Sequence, residues 1–396
     1  MRVNDRSRNA SPQPLGLWIV GLGSQYPRHL LGPEKLDSFV KRLYDVEIPG
    51  IKRLLRINHT TGIETRSAIM DYESGWGTEK KPPSIEEMDA LFRTAGVALT
   101  VQACEKAINE WNGDPRDITH TVAVTCTNRG NPGFDLLVNK QLGLSPSVDR
   151  TLLHGVGCAG GLAIMRTAAQ LACGATLRGR PARILCFACE LSTPNVRYEV
   201  DAAARCLDAS QVCIAGALFS DAAAAFVLCN DLGLQKTVKP VYELLNWNNT
   251  LIPDTSNDLE FFVEATGYRT TLSRSLPKHA VGAVDKMVRS LLPSICAQAF
   301  SDDFGAADCD WALHPGGQAI IDGVQRVMGL ADERLRATRE IYRTRSNSSS
   351  PTVLGVLDRL RSMDMRKEFV VATAFGPGLS VEMSFLRSCS VSPTRH

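Results

Sequence analysis

Residues 159–173 (AGGLAIMRTAAQLAC) restrict the fold more than any other stretch of this chain. They are Ala/Leu-rich and apolar almost all round, so a helix built from them has no wet face and is buried on every side. Gly174 follows and reads as its C-cap. Short β-branched runs stand before and after it, 121–126 (TVAVTC) and 183–189 (RILCFAC). A buried helix between strands argues for an α/β protein of layered sheets and helices.

The length of 396 residues exceeds the usual size of one compact core. A faint internal echo suggests how it divides. Residues 215–229 (AGALFSDAAAAFVLC) and 374–388 (AFGPGLSVEMSFLRS) each pass from a glycine-containing turn into an apolar strand. Two copies of one α/β unit, 15–232 and 233–396, account for both echo and length. Residues 1–14 (MRVNDRSRNASPQP) read as a disordered tail, and 341–351 (IYRTRSNSSSP) as the most loop-like interior stretch.

Composition narrows the function. Lys plus Arg is 44 against 42 Asp plus Glu, a net charge of +2, which offers no broad basic surface for nucleic acid or anionic membrane. No apolar run reaches the ~20 residues of a membrane helix. Residues 15–22 are broken by Gly16 and Gly21 and read as a buried strand, not a signal peptide. Twelve cysteines lie scattered, mostly in apolar company, without a secretory signal. A reducing, cytosolic compartment is the expectation.

Three residues stand in contexts that suit chemistry. Cys158 in HGVGCAGG opens the buried helix, where unpaired amides favour thiolate and the glycines admit a substrate closely. It reads equally as one more structural cysteine. His314 in WALHPGGQAI ends a strand at a Pro-Gly-Gly turn, a position for a general base or oxyanion donor, or for a capping histidine. Asn347 in the Ser-rich loop has a turn role by default, and its amide N–H suits an oxyanion site. Lys52, Arg53 and Arg56 make a basic helix face, either solvated or a grip on an anionic ligand. Cys186 and Cys189 form a CxxC inside an apolar strand with no second pair, so zinc is discounted. Gly21-Leu-Gly23 lacks the third glycine and the acidic residue of a dinucleotide fingerprint.

Taken in order, GVGCAGG, ALHPGGQAI, RSNSSSP and AFGPGLSVE resemble the type III polyketide synthases, the chalcone synthase-like superfamily, over nearly the whole chain from about residue 15. The stretches GLGSQYPRHLLGPEKL and INHTTGIETRS look like its fungal branch. The resemblance implies a thiolase-like fold, two α/β halves forming a five-layered αβαβα core, and a homodimer. It implies a triad of Cys158, His314 and Asn347: Cys158, as thiolate beside an imidazolium at His314, takes an acyl group from CoA. His314 and Asn347 then stabilise the enolate left when malonyl-CoA loses carbon dioxide. Acyl-CoA and malonyl-CoA are substrates, and no metal or redox cofactor is required.

By the same resemblance, Phe219 matches a gate between CoA tunnel and acyl cavity. Arg53 and Arg56 match CoA-phosphate contacts, with Thr60 replacing a third. Thr127, Ser192, Asn195 and Ser349 match cavity-lining positions. Three departures set the chain apart from plant enzymes: Thr270 at a second gate position, Phe261 where a glycine lines the cavity, and Asn131 for a methionine that crosses the dimer interface. A small gate and reshaped cavity point to a fatty acyl starter and to alkyl pyrones or alkylresorcinols. The competing readings are a carrier-protein-dependent ketoacyl synthase that condenses once, and a silent paralogue partnering an active synthase.

Overall fold

A computed structural model describes residues 15–299 and 304–389, so the 1–14 tail lies outside the described residues. The strands that matter are β1 (Leu17–Gln25), β2 (His120–Val124), β3 (Asp149–Leu153), β4 (Arg183–Glu190), β5 (Ala222–Asn230), β6 (Tyr242–Leu251), β7 (Leu259–Glu264), β8 (Gly267–Leu272), β9 (Asp310–Leu313), β10 (Phe369–Gly376) and β11 (Ser380–Ser388). The helices that matter are α1 (Pro49–Thr60), α2 (Val97–Trp111), α3 (Gly160–Leu177), α4 (Val196–Arg205), α5 (Leu276–Ala299), α6 (Gln318–Met328), α7 (Arg336–Arg345) and α8 (Thr352–Leu360).

Nine strands form one sheet in the order β9-β10-β11-β6-β1-β5-β4-β2-β3. Its pairings carry the duplication. β2 runs parallel to β4, β4 antiparallel to β5, and β5 antiparallel to β1. In the second half β9 runs parallel to β10, β10 antiparallel to β11, and β11 antiparallel to β6. The same four-strand unit occurs twice, joined where Trp18 and Ile19 of β1 meet Glu243 and Tyr242 of β6.

Alternate side chains of a strand point to opposite faces, and here the two faces enter different cores. Ile184, Cys186 and Ala188 of β4, with Val370, Ala372 and Ala374 of β10, pack on Leu162, Met165, Leu354 and Leu357 of α3 and α8. Leu185, Phe187 and Cys189 turn the other way, onto α2 through Ala103, Ile108 and Trp111. Phe369, Val371 and Phe375 turn onto α5 and α6 through Val284, Met287, Ile320 and Val324. Three cores between five layers make the αβαβα stack. Helix α3 touches β4 and β10 alike, although they stand five places apart in the sheet. Five spacings span about 24 Å, twice the width of a helix, so the sheet curls round the central pair.

Two local expectations are corrected. Gly174 does not cap α3: the helix runs on to Leu177, and the left-handed residue that ends it is Gly179, φ 63°. A Cβ at Gly174 would meet nothing, so that glycine sits on an open face and helix continuation outweighs its modest propensity cost. Only the first six residues of α3 are buried all round; beyond them Ala168, Ala169 and Ala172 keep one inward stripe. Residues 341–345 are likewise not loop but the last turn of α7, leaving a short loop before α8 begins at Thr352.

Glycines in β1 serve packing. A Cβ at Gly21 would lie 1.9 Å from the Ala107 carbonyl, so α2 rests directly on the strand backbone.

Candidate active site

Cys158 sits in the 3₁₀ turn Gly157–Ala159 that leads into α3, and it is buried. The glycines around it let three segments converge. Gly157 has φ 47°, and a Cβ there would strike the Pro377 ring at 2.6 Å. At Gly160 a Cβ would meet Ser350 and Val124 at 2.8 Å each, and at Gly161 the Ser350 carbonyl at 2.5 Å. Gly376 stands in turn against the Val156 carbonyl at 2.3 Å. The GVGCAGG and AFGPG motifs are therefore two sides of one close approach.

The third segment carries Asn347. Ser346 and Ser349 both adopt positive φ, 69° and 59°, and fold the loop back on itself. Asn347 Oδ1 accepts the Ser349 N–H at 2.8 Å, its own carbonyl accepts the Ser220 N–H at 2.9 Å, and it bridges to Phe219. The turn reading holds, since the carbonyl end of the amide makes the turn, and the side chain also hydrogen-bonds Cys158. The Cys158 thiol donates to Ser349 Oγ at 3.3 Å.

Glu190, which no motif singled out, lies under this junction and is fully buried. It accepts from Thr125 Oγ1 at 3.1 Å, the Cys126 and Thr127 amides at 3.1 Å each, Thr127 Oγ1 at 2.7 Å and Ser350 Oγ at 2.6 Å. One carboxyl thus ties the 125–127 loop of the first half to the Asn347 loop of the second.

His314 follows β9, and its backbone N–H donates to the Thr373 carbonyl at 2.8 Å. Neither ring nitrogen has a hydrogen-bond partner among the described residues, though the side chain is buried. Burial alone lowers its pKa to about 3. Burial also pushes the Cys158 thiol up to about 11, against the weaker opposing pull of the Ser349 and Asn347 hydrogen bonds. Burial thus works against both charged forms of the thiolate–imidazolium pair that the resemblance implies. Dry surroundings penalise both charged forms more than the helix start stabilises a thiolate.

Cavities open on either side of the Leu218–Phe219 pair. The outer one, about 770 Å³, is lined by Arg53, Thr60, Leu218, Thr271, Arg274 and Gly316 among others. Two small inner ones, about 30 and 20 Å³, share Ser192, Phe219, Phe261 and Thr270. The first also takes in Cys158 and Ser349; the second, Thr127 and Asn195. Neighbouring residues face opposite sides: Leu218 and Thr271 outward, Phe219 and Thr270 inward. The small Thr270 leaves no wide opening, because Phe261 pairs directly across the β7–β8 ladder and stacks on Tyr268 at 5.0 Å.

Two expected contacts fall elsewhere. Arg56 is exposed and lines none of these cavities, since α1 presents Arg53, Ile57, Thr60 and Thr61 to the outer one. Asn131 is exposed on the turn beside β3 and lines none of them either. Arg274, missed in the sequence, stands on the wall of the outer cavity contributed by the second half. Among the described residues no three His, Cys, Asp or Glu side chains cluster to hold a metal ion, and no helix is long and apolar enough to cross a membrane. The eleven described cysteines are free thiols.

Comparison with known proteins agrees with this architecture. Residues 5–232 match the N-terminal domain of chalcone and stilbene synthases, and residues 243–390 their C-terminal domain. The type III polyketide synthase pspB of Penicillium soppii is 58% identical over 394 residues, covering 97% of this chain and 98% of that protein. The acylalkylpyrone synthase csyB of Aspergillus oryzae is 35% identical over 374 residues, 93% of each chain. Among solved structures, a type III pentaketide synthase from Neurospora crassa superposes with a TM-score of 0.90 at 43% identity, over 94% of this chain and all of that one. CsyB complexed with CoA-SH gives 0.89 at 35% identity, again over 94% of this chain and all of that one. The chain belongs to the chalcone and stilbene synthase family and is a type III polyketide synthase.

Proposed function

We propose that this synthase extends a fatty acyl-CoA starter with malonyl-CoA, without carrier protein or metal, and closes the chain to alkyl pyrones or alkylresorcinols. The reading rests on one observation above all: Cys158, hydrogen-bonded to Ser349 and Asn347, opens on the inner side of a thin wall whose outer side is a large cavity with arginines. That arrangement suits an acyl group delivered inward while its CoA handle stays outside. The name of the csyB relative supports the alkyl product class.

The residues divide the work as follows. Cys158 sulfur attacks the starter thioester, and its proton passes through the neutral His314 to the departing CoA sulfur, giving CoA-SH and an acyl-Cys158. When malonyl-CoA loses carbon dioxide, the uncharged His314 N–H and the Asn347 amide donate to the enolate oxygen. A neutral imidazole is the right donor here, because it stabilises the developing charge without giving up its proton. The enolate carbon attacks the acyl-Cys158 carbonyl and frees the thiolate, and the chain, longer by two carbons, returns to Cys158 by transacylation. For a pyrone, an enol oxygen of the chain attacks the thioester carbonyl and expels the thiol; for a resorcinol, a carbanion within the chain attacks a ketone, water is lost, and the thioester is hydrolysed and loses carbon dioxide. We assign the homodimer to β3, one of the two edge strands of the sheet, hydrogen-bonded on one side only. A Cβ at Gly133 would touch Leu152 of that strand at 2.4 Å, which sets the Asn131 turn beside the same edge.

Mass spectrometry of products from purified protein, malonyl-CoA and acyl-CoAs of graded length tests the reading, with Cys158→Ala alongside. Pyrones or resorcinols from the wild type and none from the variant are expected. Condensation that appears only when acyl carrier protein is added would refute it. Sedimentation of the same sample checks the dimer.

A further inference from the structure

A buried carboxyl in the smaller of the two inner cavities, next to the one that takes in Cys158, has no part in the steps above. Glu199 of α4 is 4% exposed and lines that cavity beside Asn195, Phe219, Phe261 and Thr270. The chain leaves room for it, since a Cβ at Gly216 would come within 3.0 Å of the Glu199 Cβ. Asn195 Nδ2 donates to Glu199 Oε1 at 3.1 Å and Thr270 Oγ1 donates to the same oxygen at 3.4 Å. The Cys213 thiol hydrogen-bonds the carboxyl too. The Asn195 amide is itself fixed, donating to the Tyr268 carbonyl and accepting the Tyr268 N–H, each at 2.9 Å. No cationic side chain among the described residues pairs with Glu199.

A carboxyl taken out of water with no counter-charge keeps its proton, and burial pushes Glu199 up to about 8. The donor count then leaves that proton unplaced. Oε1 is engaged by two donors, an amide N–H accepts nothing, and a thiol sulfur accepts weakly. The space left to the carboxyl O–H is the cavity itself. An alkyl chain has no acceptor to offer there. A chain built from malonyl units carries a ketone oxygen on every second carbon.

We propose that Glu199 determines product specificity by donating a hydrogen bond to a ketone oxygen of the growing poly-β-ketone chain, so that it sets how far extension runs before ring closure. The proposal rests on the polyketide synthase reading and deepens it: the inner cavity recognises oxygenated carbon as well as alkyl carbon.

Glu199→Gln keeps the shape, the acceptor for Asn195 and a donor toward the cavity; Glu199→Leu keeps the bulk and loses both. Each protein is given the preferred acyl-CoA and malonyl-CoA, with products sorted by malonyl units and released CoA counted in parallel. In Glu199→Leu the longest product should fall about fivefold relative to the shortest, the effect of one lost buried hydrogen bond. CoA release in the first condensation should stay within about twofold, and Glu199→Gln should restore the wild-type distribution. A wild-type distribution from folded Glu199→Leu overturns the proposal, and so does an equal shift in both variants, which would mean packing alone. Should the leucine variant fail to fold, Glu199→Met takes its place under the same criteria. Failure of the wild type to release CoA is a different result: it removes the polyketide synthase reading, and this proposal with it.

Discussion

Alkylation of Cys158 as a function of pH separates a neutral site, which burial favours, from a resting ion pair. Only the thiolate reacts with iodoacetamide. With the thiol pushed up to about 11, roughly three molecules in ten thousand are ionised at pH 7.5. An ordinary thiol near 8.5 would be ionised to about one part in ten, a ratio of about 300. Thiolates of higher pKa are better nucleophiles, with a Brønsted slope near 0.5, which returns a factor of about 18 over 2.5 pH units. The net expectation is alkylation about twentyfold slower than glutathione, before burial of the sulfur slows it further. Its rate should rise about tenfold per pH unit from 7 to 9. The His314→Ala variant should stay within about twofold of wild type, because a neutral imidazole does not hold the thiolate. Ser349→Ala should be slower, since it loses a hydrogen bond that favours the ionised sulfur. Peptide mass spectrometry with isotopically paired iodoacetamide reads Cys158 apart from the other cysteines. A rate that is flat from pH 6 to 9 and collapses in His314→Ala would falsify the neutral-site argument and restore the ion pair.

Arg53→Ala and Arg274→Ala should each raise KM for malonyl-CoA about tenfold, steeply dependent on salt, while Arg56→Ala changes it less than about twofold; steady-state kinetics at two ionic strengths decides. Removing Arg166 should cost about 3 kcal/mol in chemical denaturation, because Glu382, 7% exposed, loses its bidentate partner across the central layer and stays buried with its charge. Measured Glu382→Gln should lose less than Arg166→Ala. The depressed His314 carries a pH signature in stability as well. Its folded pKa of about 3 lies below the unfolded value near 6.5, so its contribution is complete above about pH 6.5 and is lost as pH falls toward 3. At pH 4.5 the loss amounts to about 2–3 kcal/mol, and His314→Gln should remove that part of the acid sensitivity in paired denaturation curves.

The sequence announced those features that depend on what a residue type alone can do. Glycines at 157, 160, 161 and 376 stand where a Cβ would come within 3 Å of a neighbouring segment, and the glycine-flanked Cys158 was legible from such residues. The layered fold was legible because a helix this apolar between two β-branched runs needs a sheet to cover it, although only its first six residues are buried all round. Features fixed by distant partners were not. Arg56 and Arg53 look alike three residues apart, and only the packing of α1 says which one faces the cavity. Arg274 reaches that cavity from more than two hundred residues away in the chain. Glu190 and Glu199 look like any surface carboxylate until the donors around them are seen. The burial of Cys158 and His314 was hidden for a related reason: the helix start and the partner are visible in sequence, whereas the depth of burial that works against their charged forms is not.

Burial that works against charge is also what connects these groups. Cys158, His314, Glu190 and Glu199 are all shifted toward their uncharged forms, each by burial first. A carboxylate or imidazolium resting beside the reaction would stabilise or repel the enolate before it formed and would draw water into the inner cavity. Arginines line the outer cavity instead, separated from the inner ones by Leu218–Phe219 and Thr270–Thr271, two adjacent pairs whose members face opposite ways. Charge then enters the inner site only as it develops on the substrate, where hydrogen bonds that cost no reorganisation count most. It follows that chain length is controlled on the dry side of that wall. Phe261 sets its volume by stacking on Tyr268, and Glu199 sets its polarity, so changes at Arg53 or Arg274 should alter how tightly substrates bind and leave the product spectrum as it was.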